Sequence, residues 1–361
     1  MNAAESPTSE RRRATLPIAA YLALLVLMLA VGIRWRSEDL LEAWLLAFLI
    51  MAGLASASLA LLMIGHLLGE AWLRPVRGPL EAAASTVPLV AVLAIPLAAG
   101  ADLLFPWALG AIPGIPRYRQ LYFSETLVLF RGALILLTWI GVATLVLRWG
   151  RDPRASAPGL ALLALTAALA AIDWVNSREP TWWSSLFAFA YSVTQLSGAI
   201  ALVLLVAMLR PSFPASHRYR SLQQATITLA LLVLWVWFAQ FLVIWMANLP
   251  TETSWYLVRA QGVWLWLKLV VVVPSLIVAI VLLLPTRPGR LRLIFAAGFL
   301  LLNYIAHMFW IVRPASTNTP VLTWLDLPVW LGLGLLWAVW FTAALHMREA
   351  LSERARGSAP A

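Results

Sequence analysis

Residues 43–68 of this chain read AWLLAFLIMAGLASASLALLMIGHLL and contain no Asp, Glu, Lys or Arg. A helix needs about 20 apolar residues to cross the roughly 30 Å hydrocarbon core of a bilayer. This stretch is long enough, and comparable stretches recur along the chain. Of the 361 residues, 62% are hydrophobic and only 12% are charged, a balance that is typical of membrane proteins rather than soluble domains. The sequence therefore predicts an all-α integral membrane protein.

We predict about ten transmembrane helices, and their order along the chain defines the domain organisation. The transmembrane domain covers 16–348, with a cytoplasmic N-terminal tail at 1–15 and a cytoplasmic C-terminal tail at 349–361. The predicted spans are 17–33, 43–68, 87–105, 124–147, 158–175, 183–209, 222–247, 262–284, 291–312 and 324–347.

Loops rich in Lys and Arg alternate along the chain with loops that have few basic residues. Cytoplasmic loops of membrane proteins are enriched in Lys and Arg, so this alternation predicts that both termini are cytoplasmic. The net charge of +10 is distributed over short loops with no continuous basic stripe, which argues against a nucleic-acid partner. The loops and tails predicted to be cytoplasmic contain Arg11, Arg12, Arg13, Arg74, Arg77, Arg148, Arg151, Arg154, Arg210, Arg218, Arg220, Arg287, Arg290, Arg292, Arg348, Arg354 and Arg356.

Two segments suggest an internal repeat. Asp173 and His307 each lie seven positions before a proline, Pro180 and Pro314, that follows a predicted span. Each is also preceded, one span earlier, by a cation within the membrane: Arg131 before Asp173, and Lys268 before His307. We therefore predict two similar four-helix bundles in parallel orientation, bundle one at about 43–175 and bundle two at about 183–312, with the first and last helices peripheral.

The intramembrane ionisable residues are the candidate functional site. A charged side chain near the centre of a membrane helix costs about 2.5–3.5 kcal/mol, so each one requires a partner or a function. Our topology places Asp173, Arg131, His307, Lys268 and Gln240 toward the non-cytoplasmic surface. They are predicted to form a proton path, or to lie next to the head of a lipid-soluble quinone. In the alternative, Arg131 and Asp173 form a structural ion pair while Lys268 extends outward to the surface.

Histidine and cysteine content limits the cofactors. The chain has no cysteine, which excludes iron–sulfur ligation and covalent haem attachment to this chain, and it has four histidines. His66 and His307 are the best candidates for ligands of a haem b. They are predicted near opposite surfaces of the membrane and so cannot bind the same iron. We therefore predict no bound metal, no covalently bound cofactor and no catalytic residue, with quinone as the possible ligand.

Three stretches of the chain resemble one known family. They are SAPG at 156–159 leading to DWVNSREPTWWSSLF at 173–187, WFAQFLVIWMANLP at 237–250 with ETSWYL at 252–257, and GHLLGEAW at 65–72. Over about 50–314 the chain resembles the second NrfD-like membrane subunit of alternative complex III, the bacterial quinol:cytochrome c oxidoreductase (ActF type). His307 departs from the family's pattern, which usually has an Asp there, whereas Asp173 keeps its expected place.

The resemblance implies a multi-pass subunit of a quinol-oxidising respiratory complex in the bacterial cytoplasmic (inner) membrane. Its expected partners are an NrfD-like quinone subunit, an iron–sulfur protein, multihaem cytochromes and membrane lipid. The subunit would act as a scaffold with a quinone-adjacent cavity or a proton path. Two alternatives remain open: a purely structural membrane anchor without a ligand, and an independent transporter, which predicts broken helices with unwound backbone at the membrane midplane.

Overall fold

The structure is a computed structural model that describes residues 7–35, 37–69, 72–110, 112–149, 153–210, 219–286, 289–316 and 321–357. Within these ranges the regular elements are all helices, and there is no strand. Parts of both predicted tails, at 1–6 and 358–361, lie outside the described residues, as do Arg151, Arg218 and Arg287 of the predicted basic loops.

The main helices follow the predicted spans in order. They are α1 (Pro7–Arg34), α2 (Glu38–Leu68), α3 (Leu73–Ala99), α4 (Glu125–Trp149), α5 (Pro153–Trp174), α6 (Phe187–Leu209), α7 (Tyr219–Ala247), α8 (Gly262–Leu283), α9 (Arg290–Val312) and α10 (Asp326–Gly357). Within the described residues, α2 to α10 make nine helices that are long and apolar enough to cross a membrane. The all-α membrane fold is therefore confirmed.

Short elements join the main helices. They are Ala101–Leu104 and the 3₁₀ turn Pro106–Leu109 after α3, Arg117–Tyr122 before α4, the 3₁₀ turn Asn176–Arg178 after α5, Pro250–Arg259 between α7 and α8, and the 3₁₀ turn Arg313–Ala315 after α9. Helix α3 is interrupted near Ser85 and Ala94, and α8 contains a π-helical turn at Leu267–Val272.

Several boundaries differ from the predicted ones. Helix α3 begins at Leu73, well before the predicted 87, because the polar stretch around Arg77 and Glu81 is itself helical. Helices α1 and α10 extend into the predicted tails, to Pro7 and Gly357. The apolar part of α1, Ala20–Val31, is shorter than the others.

The helices form two closed rings of four with the same neighbour order. In bundle one α2 packs on α3, α3 on α4, α4 on α5 and α5 on α2, and in bundle two α6, α7, α8 and α9 repeat this pattern. Helices α2 and α6, the first of each ring, pack against each other and join the bundles. Helix α10 lies outside the rings against α2 and α3, and α1 packs on α3 and α10.

Interactions at the helix ends show that corresponding turns lie on the same side. We call the end of the helices near Pro180 and Pro314 the Pro314 end. There Arg178, which follows α5, donates to the carbonyl of Val312 in α9 (3.0 Å). We call the opposite end the Arg348 end, and several arginines of the predicted basic loops lie there. Contacts there join Arg77 and Arg348 to Glu81, Arg210 to Glu349, and Arg290 to the Met208 carbonyl.

Tyr304 of α9 fills the space between the two central helices. Its hydroxyl contacts the carbonyl of Ile50 in α2 (2.9 Å) and the amide oxygen of Gln195 in α6. Gly198 on α6 makes room for the ring, since a Cβ there would lie 2.6 Å from the Tyr304 ring. A residue without a side chain at this position thus permits three membrane helices to approach closely.

We predict that Gly198→Ala will lower the free energy of unfolding by about 1–3 kcal/mol, because the added methyl group overpacks the joint between the bundles. The matched control is Gly298→Ala in the same bundle, where an added Cβ meets no atom within 4 Å. Thermal unfolding in detergent measures both variants. Equal melting temperatures for the two would contradict this account of the joint.

Candidate functional site

Arg131 of α4 and Asp173 of α5 form a bidentate ion pair within bundle one. Arg131 Nε lies 2.8 Å from Asp173 Oδ2, and its Nη2 lies 3.0 Å from Oδ1. The guanidinium makes two further contacts, both with Tyr122. Its Nη2 donates to the Tyr122 carbonyl (3.0 Å), and the group lies 3.9 Å from the centre of the Tyr122 ring. Asp173 is fully buried. This geometry makes the pair a joint between α4 and α5.

Lys268 of α8 and His307 of α9 are the corresponding pair in bundle two, and they too are in contact. Lys268 Nζ lies 3.1 Å from His307 Nε2. The ammonium lies 4.0 Å from the centre of the Trp310 ring and 5.6 Å from that of Trp237, at cation–π distance. Lys268 therefore points into bundle two, and does not extend to the surface as the alternative assumed.

A local distortion of α8 places Lys268. Pro274 has no backbone N–H, so the regular ladder cannot continue to the carbonyl of Val270 four residues earlier. The preceding turn is π-helical, with the N–H of Val273 bonded to the carbonyl of Lys268. Asn303 of α9 donates to the carbonyl of Val272 (2.7 Å) and holds the distorted turn against α9. Single π turns of this kind are frequent at functional sites.

Buried arginines fix the end of α9 above His307. Arg259 donates to the carbonyls of Trp310 (3.3 Å) and Ile311 (2.8 Å), and Arg178 donates to that of Val312. The last carbonyls of a helix lack partners within it, and they form the negative end of its dipole. The cations therefore stabilise the C-terminal end of α9, which is surrounded by protein. His307 lies about 8 Å from this end along the helix axis.

A cavity of about 490 Å³ lies in bundle two beside the Lys268–His307 pair. Its walls are mainly aromatic and aliphatic side chains of α7, α8 and α9. Trp237 is held at the wall by a bond from its Nε1 to Thr194 Oγ1 (2.9 Å), and its ring centre lies 4.6 Å from that of His307. The polar side chains that line the cavity are Tyr256, Arg259, Lys268, Asn303 and His307, with the indole of Trp310.

Several buried polar atoms around this cavity have no protein partner. They are Nδ1 of His307, Nε1 of Trp310 and the hydroxyl of Tyr256. Gln240, one turn beyond Trp237 on α7, is buried, and neither atom of its amide is paired. Buried polar groups are normally hydrogen-bonded, so these atoms have hydrogen-bonding capacity that the described protein side chains do not use.

Burial affects the titration of the tyrosines next to the two sites. Tyr256 precedes α8, and burial raises the pKa of its hydroxyl, so the group keeps its proton. Tyr122 precedes α4, and burial, together with the nearby Asp173 carboxylate, raises the pKa of its hydroxyl to about 12.

The two bundles place similar residues in different environments. In bundle one the cation is neutralised by a carboxylate. The nearby cavity, about 300 Å³, is lined by apolar side chains and the indoles of Trp107 and Trp174. Neither Arg131 nor Asp173 is part of its wall. In bundle two the cation contacts an imidazole, and both groups line the cavity. The structure thus brings the predicted residues together as two separate pairs.

Other residues of the site did not emerge from the sequence. Its walls include Trp310, Trp237 and Asn303. The arginines Arg259 and Arg178 bind the last carbonyls of α9 at the Pro314 end. A signal exists for part of this set, since Asn303, His307 and Trp310 are spaced to share one helix face. The segment between α7 and α8 is the Pro250–Arg259 helix, whose Trp255 stacks on Trp182 (4.8 Å).

Comparison with known protein families and with curated proteins gives no match to this chain. Among the described residues, no group of three or more His, Asp or Glu side chains is arranged to hold a metal ion.

We predict that Arg131→Leu will destabilise the protein by about 3–5 kcal/mol, because Asp173 would remain buried without its cation. The double variant Arg131→Leu with Asp173→Leu should recover most of this loss, since no unpaired charge remains. Unfolding of the purified variants in detergent measures both effects. A single variant as stable as the unmodified protein would show that the pair does not join α4 to α5.

Proposed function

We propose that this protein is a membrane subunit of a quinol-oxidising respiratory electron-transfer complex, and that the cavity of bundle two holds the head of a lipid-soluble quinone. In this proposal the subunit is mainly a scaffold, and the Lys268–His307 pair is the polar end of the quinone site. The enclosing complex supplies the redox centres, since the chain has no cysteine to ligate an iron–sulfur cluster or to attach haem.

The observation that carries the proposal is the cavity of bundle two with its unpaired polar atoms. Ligand sites are concave, mostly apolar pockets of about 300–1,000 Å³ with a few convergent polar groups. The cavity of about 490 Å³ fits this description. A quinone has a flat ring that packs on aromatic side chains, oxygens that require hydrogen-bond partners, and a tail that lies between membrane helices.

The proposed orientation places both termini in the cytoplasm. It is supported by Arg77, Arg210, Arg290 and Arg348, which the structure gathers at one end of the helices. The Pro314 end, and with it the cavity, then faces the non-cytoplasmic side of a bacterial inner membrane. The sequence resemblance supports the partners, namely an NrfD-like quinone subunit, an iron–sulfur protein and multihaem cytochromes.

The main alternatives predict different features. A transporter with broken helices is disfavoured by α2 to α10, because the interruptions in α3 and α8 keep helical geometry. A structural anchor needs no ligand, and it leaves the unpaired atoms of His307 and Trp310 without explanation.

We expect quinone to be extracted from the full-length protein after purification in mild detergent, and Leu269→Trp to reduce the bound amount. Leu269 lines the cavity, so the larger side chain would occupy the space of the ring. The matched control is Val270→Trp, a neighbouring exposed residue that is not part of the cavity wall. Chromatography of the extracted lipids measures quinone per protein. Equal amounts in the two variants would place any bound quinone elsewhere.

The same preparation tests the complex. Haem spectra and identification of co-purified proteins should show cytochromes and an iron–sulfur protein. A transporter would be isolated without them, and that result would overturn the assignment to a respiratory complex.

Asp173 retains a predicted role in proton transfer, which the assembled complex tests directly. Asp173→Asn removes the titratable group and the charge that pairs with Arg131. We expect proton release during quinol oxidation to fall in this variant, because the carboxylate that would conduct protons is lost. Unchanged quinol oxidation and unchanged proton release would leave Asp173 with the structural role alone.

A further inference from the structure

The unpaired groups that line the cavity of bundle two are mainly hydrogen-bond donors. The Nζ of Lys268 lies 4.0 Å from the centre of the Trp310 ring, the geometry of a cation–π contact, and an ammonium can only donate. Its partner atom, Nε2 of His307, then accepts, and the imidazole proton resides on Nδ1. That Nδ1–H is buried and unpaired, as is the indole N–H of Trp310, which can also only donate.

The acceptors in the same cavity are uncharged side chains. None of the side chains that line it is an Asp or Glu. Arg259, which lines the cavity, holds both carboxylate oxygens of Glu179, at 3.2 and 2.7 Å. Asn303 donates through its amide nitrogen to the Val272 carbonyl (2.7 Å), and its Oδ1 is an acceptor in the wall. Tyr256 has a hydroxyl that can accept as well as donate.

We infer that the cavity binds the oxidised, carbonyl form of a quinone in preference to the quinol. This inference rests on the proposed function and specifies the chemical form of its ligand. The two carbonyl oxygens of a quinone only accept hydrogen bonds, so they complement Lys268, the Nδ1–H of His307 and the Trp310 indole. A quinol hydroxyl can accept as well, but each of its two O–H groups also needs an acceptor. For these the cavity wall provides the Oδ1 of Asn303 and the hydroxyl of Tyr256, and no carboxylate. An unmet buried donor is costly, so the two forms bind with different affinities.

The same inventory separates this cavity from the place where quinol is oxidised. Oxidation of a quinol releases protons, which need a basic acceptor within hydrogen-bond reach. The ammonium of Lys268 and the protonated Nδ1 of His307 are already donors. In these protonation states neither group takes up a proton, so we place the base for quinol oxidation outside this cavity.

The internal repeat provides a variant that converts one site into the other. His307→Asp would place a carboxylate next to Lys268, as Asp173 lies next to Arg131 in bundle one. The new carboxylate would neutralise the ammonium, remove the imidazole donor and supply an acceptor. We expect the unmodified protein to bind quinone at least about tenfold more tightly than quinol, the effect of one unmet hydrogen bond, and the variant to lose this preference.

The experiment compares decylubiquinone and menaquinone-4, each oxidised or reduced with dithionite under argon. The full-length protein is purified with the subunits that accompany it and placed in lipid nanodiscs, and bound quinone is quantified against empty nanodiscs. Lys268→Met is a second variant, which should weaken quinone binding about tenfold and reduce the preference for the oxidised form. Thr166→Val is the control, because it breaks a hydrogen bond from Trp139 within bundle one and should leave the preference intact.

The outcomes separate the two proposals. Quinol binding as tight as quinone binding in the unmodified protein would overturn the inference and leave the proposed function standing. A preference that survives in both His307→Asp and Lys268→Met would also overturn it, because other groups would then set the preference. Binding of neither form above the empty nanodiscs would overturn the proposed function itself.

Discussion

A charged side chain inside a bilayer has no bulk water to solvate it, so the group that neutralises it determines the local structure. Bundle one neutralises Arg131 with Asp173, through two hydrogen bonds of 2.8 and 3.0 Å. Bundle two has no carboxylate at the corresponding position, and Lys268 is held by the imidazole of His307 and by two indole rings. The pair of bundle one is thus a joint outside the wall of the nearby cavity, whereas the pair of bundle two lines a cavity.

The Pro314 end depends on the same constraint at larger scale. Arg178 pairs with Glu42 of α2 and also contacts the last carbonyl of α9, so one guanidinium joins the two bundles. Arg259 pairs with Glu179 and contacts two more carbonyls of α9. Breaking a buried pair of this kind costs several kcal/mol, because the remaining charge stays desolvated. Helix α9, which contributes His307 and Trp310 to the cavity, is thus held by residues of both bundles.

Much of the fold could be predicted because the bilayer imposes the length and composition of each span. The sequence also suggested a repeat, since Asp173 and His307 occur at matching distances before Pro180 and Pro314. The sequence did not predict the start of α3, because residues around Arg77 and Glu81 are too polar to read as a span. They are helical because they pack on α2 and bind Arg348 of α10, which are contacts between distant parts of the chain.

The sequence by itself determined the class of protein, the order of its helices and the ionisable residues within them, because each follows from local composition and length. Only the tertiary structure decided which of these residues meet and what lies between them. Lys268 and the residues that surround it come from α7, α8 and α9, and a distorted turn before Pro274 sets its direction. The cavity exists because these helices leave space beside Lys268, and such space is a property of packing that no single helix carries.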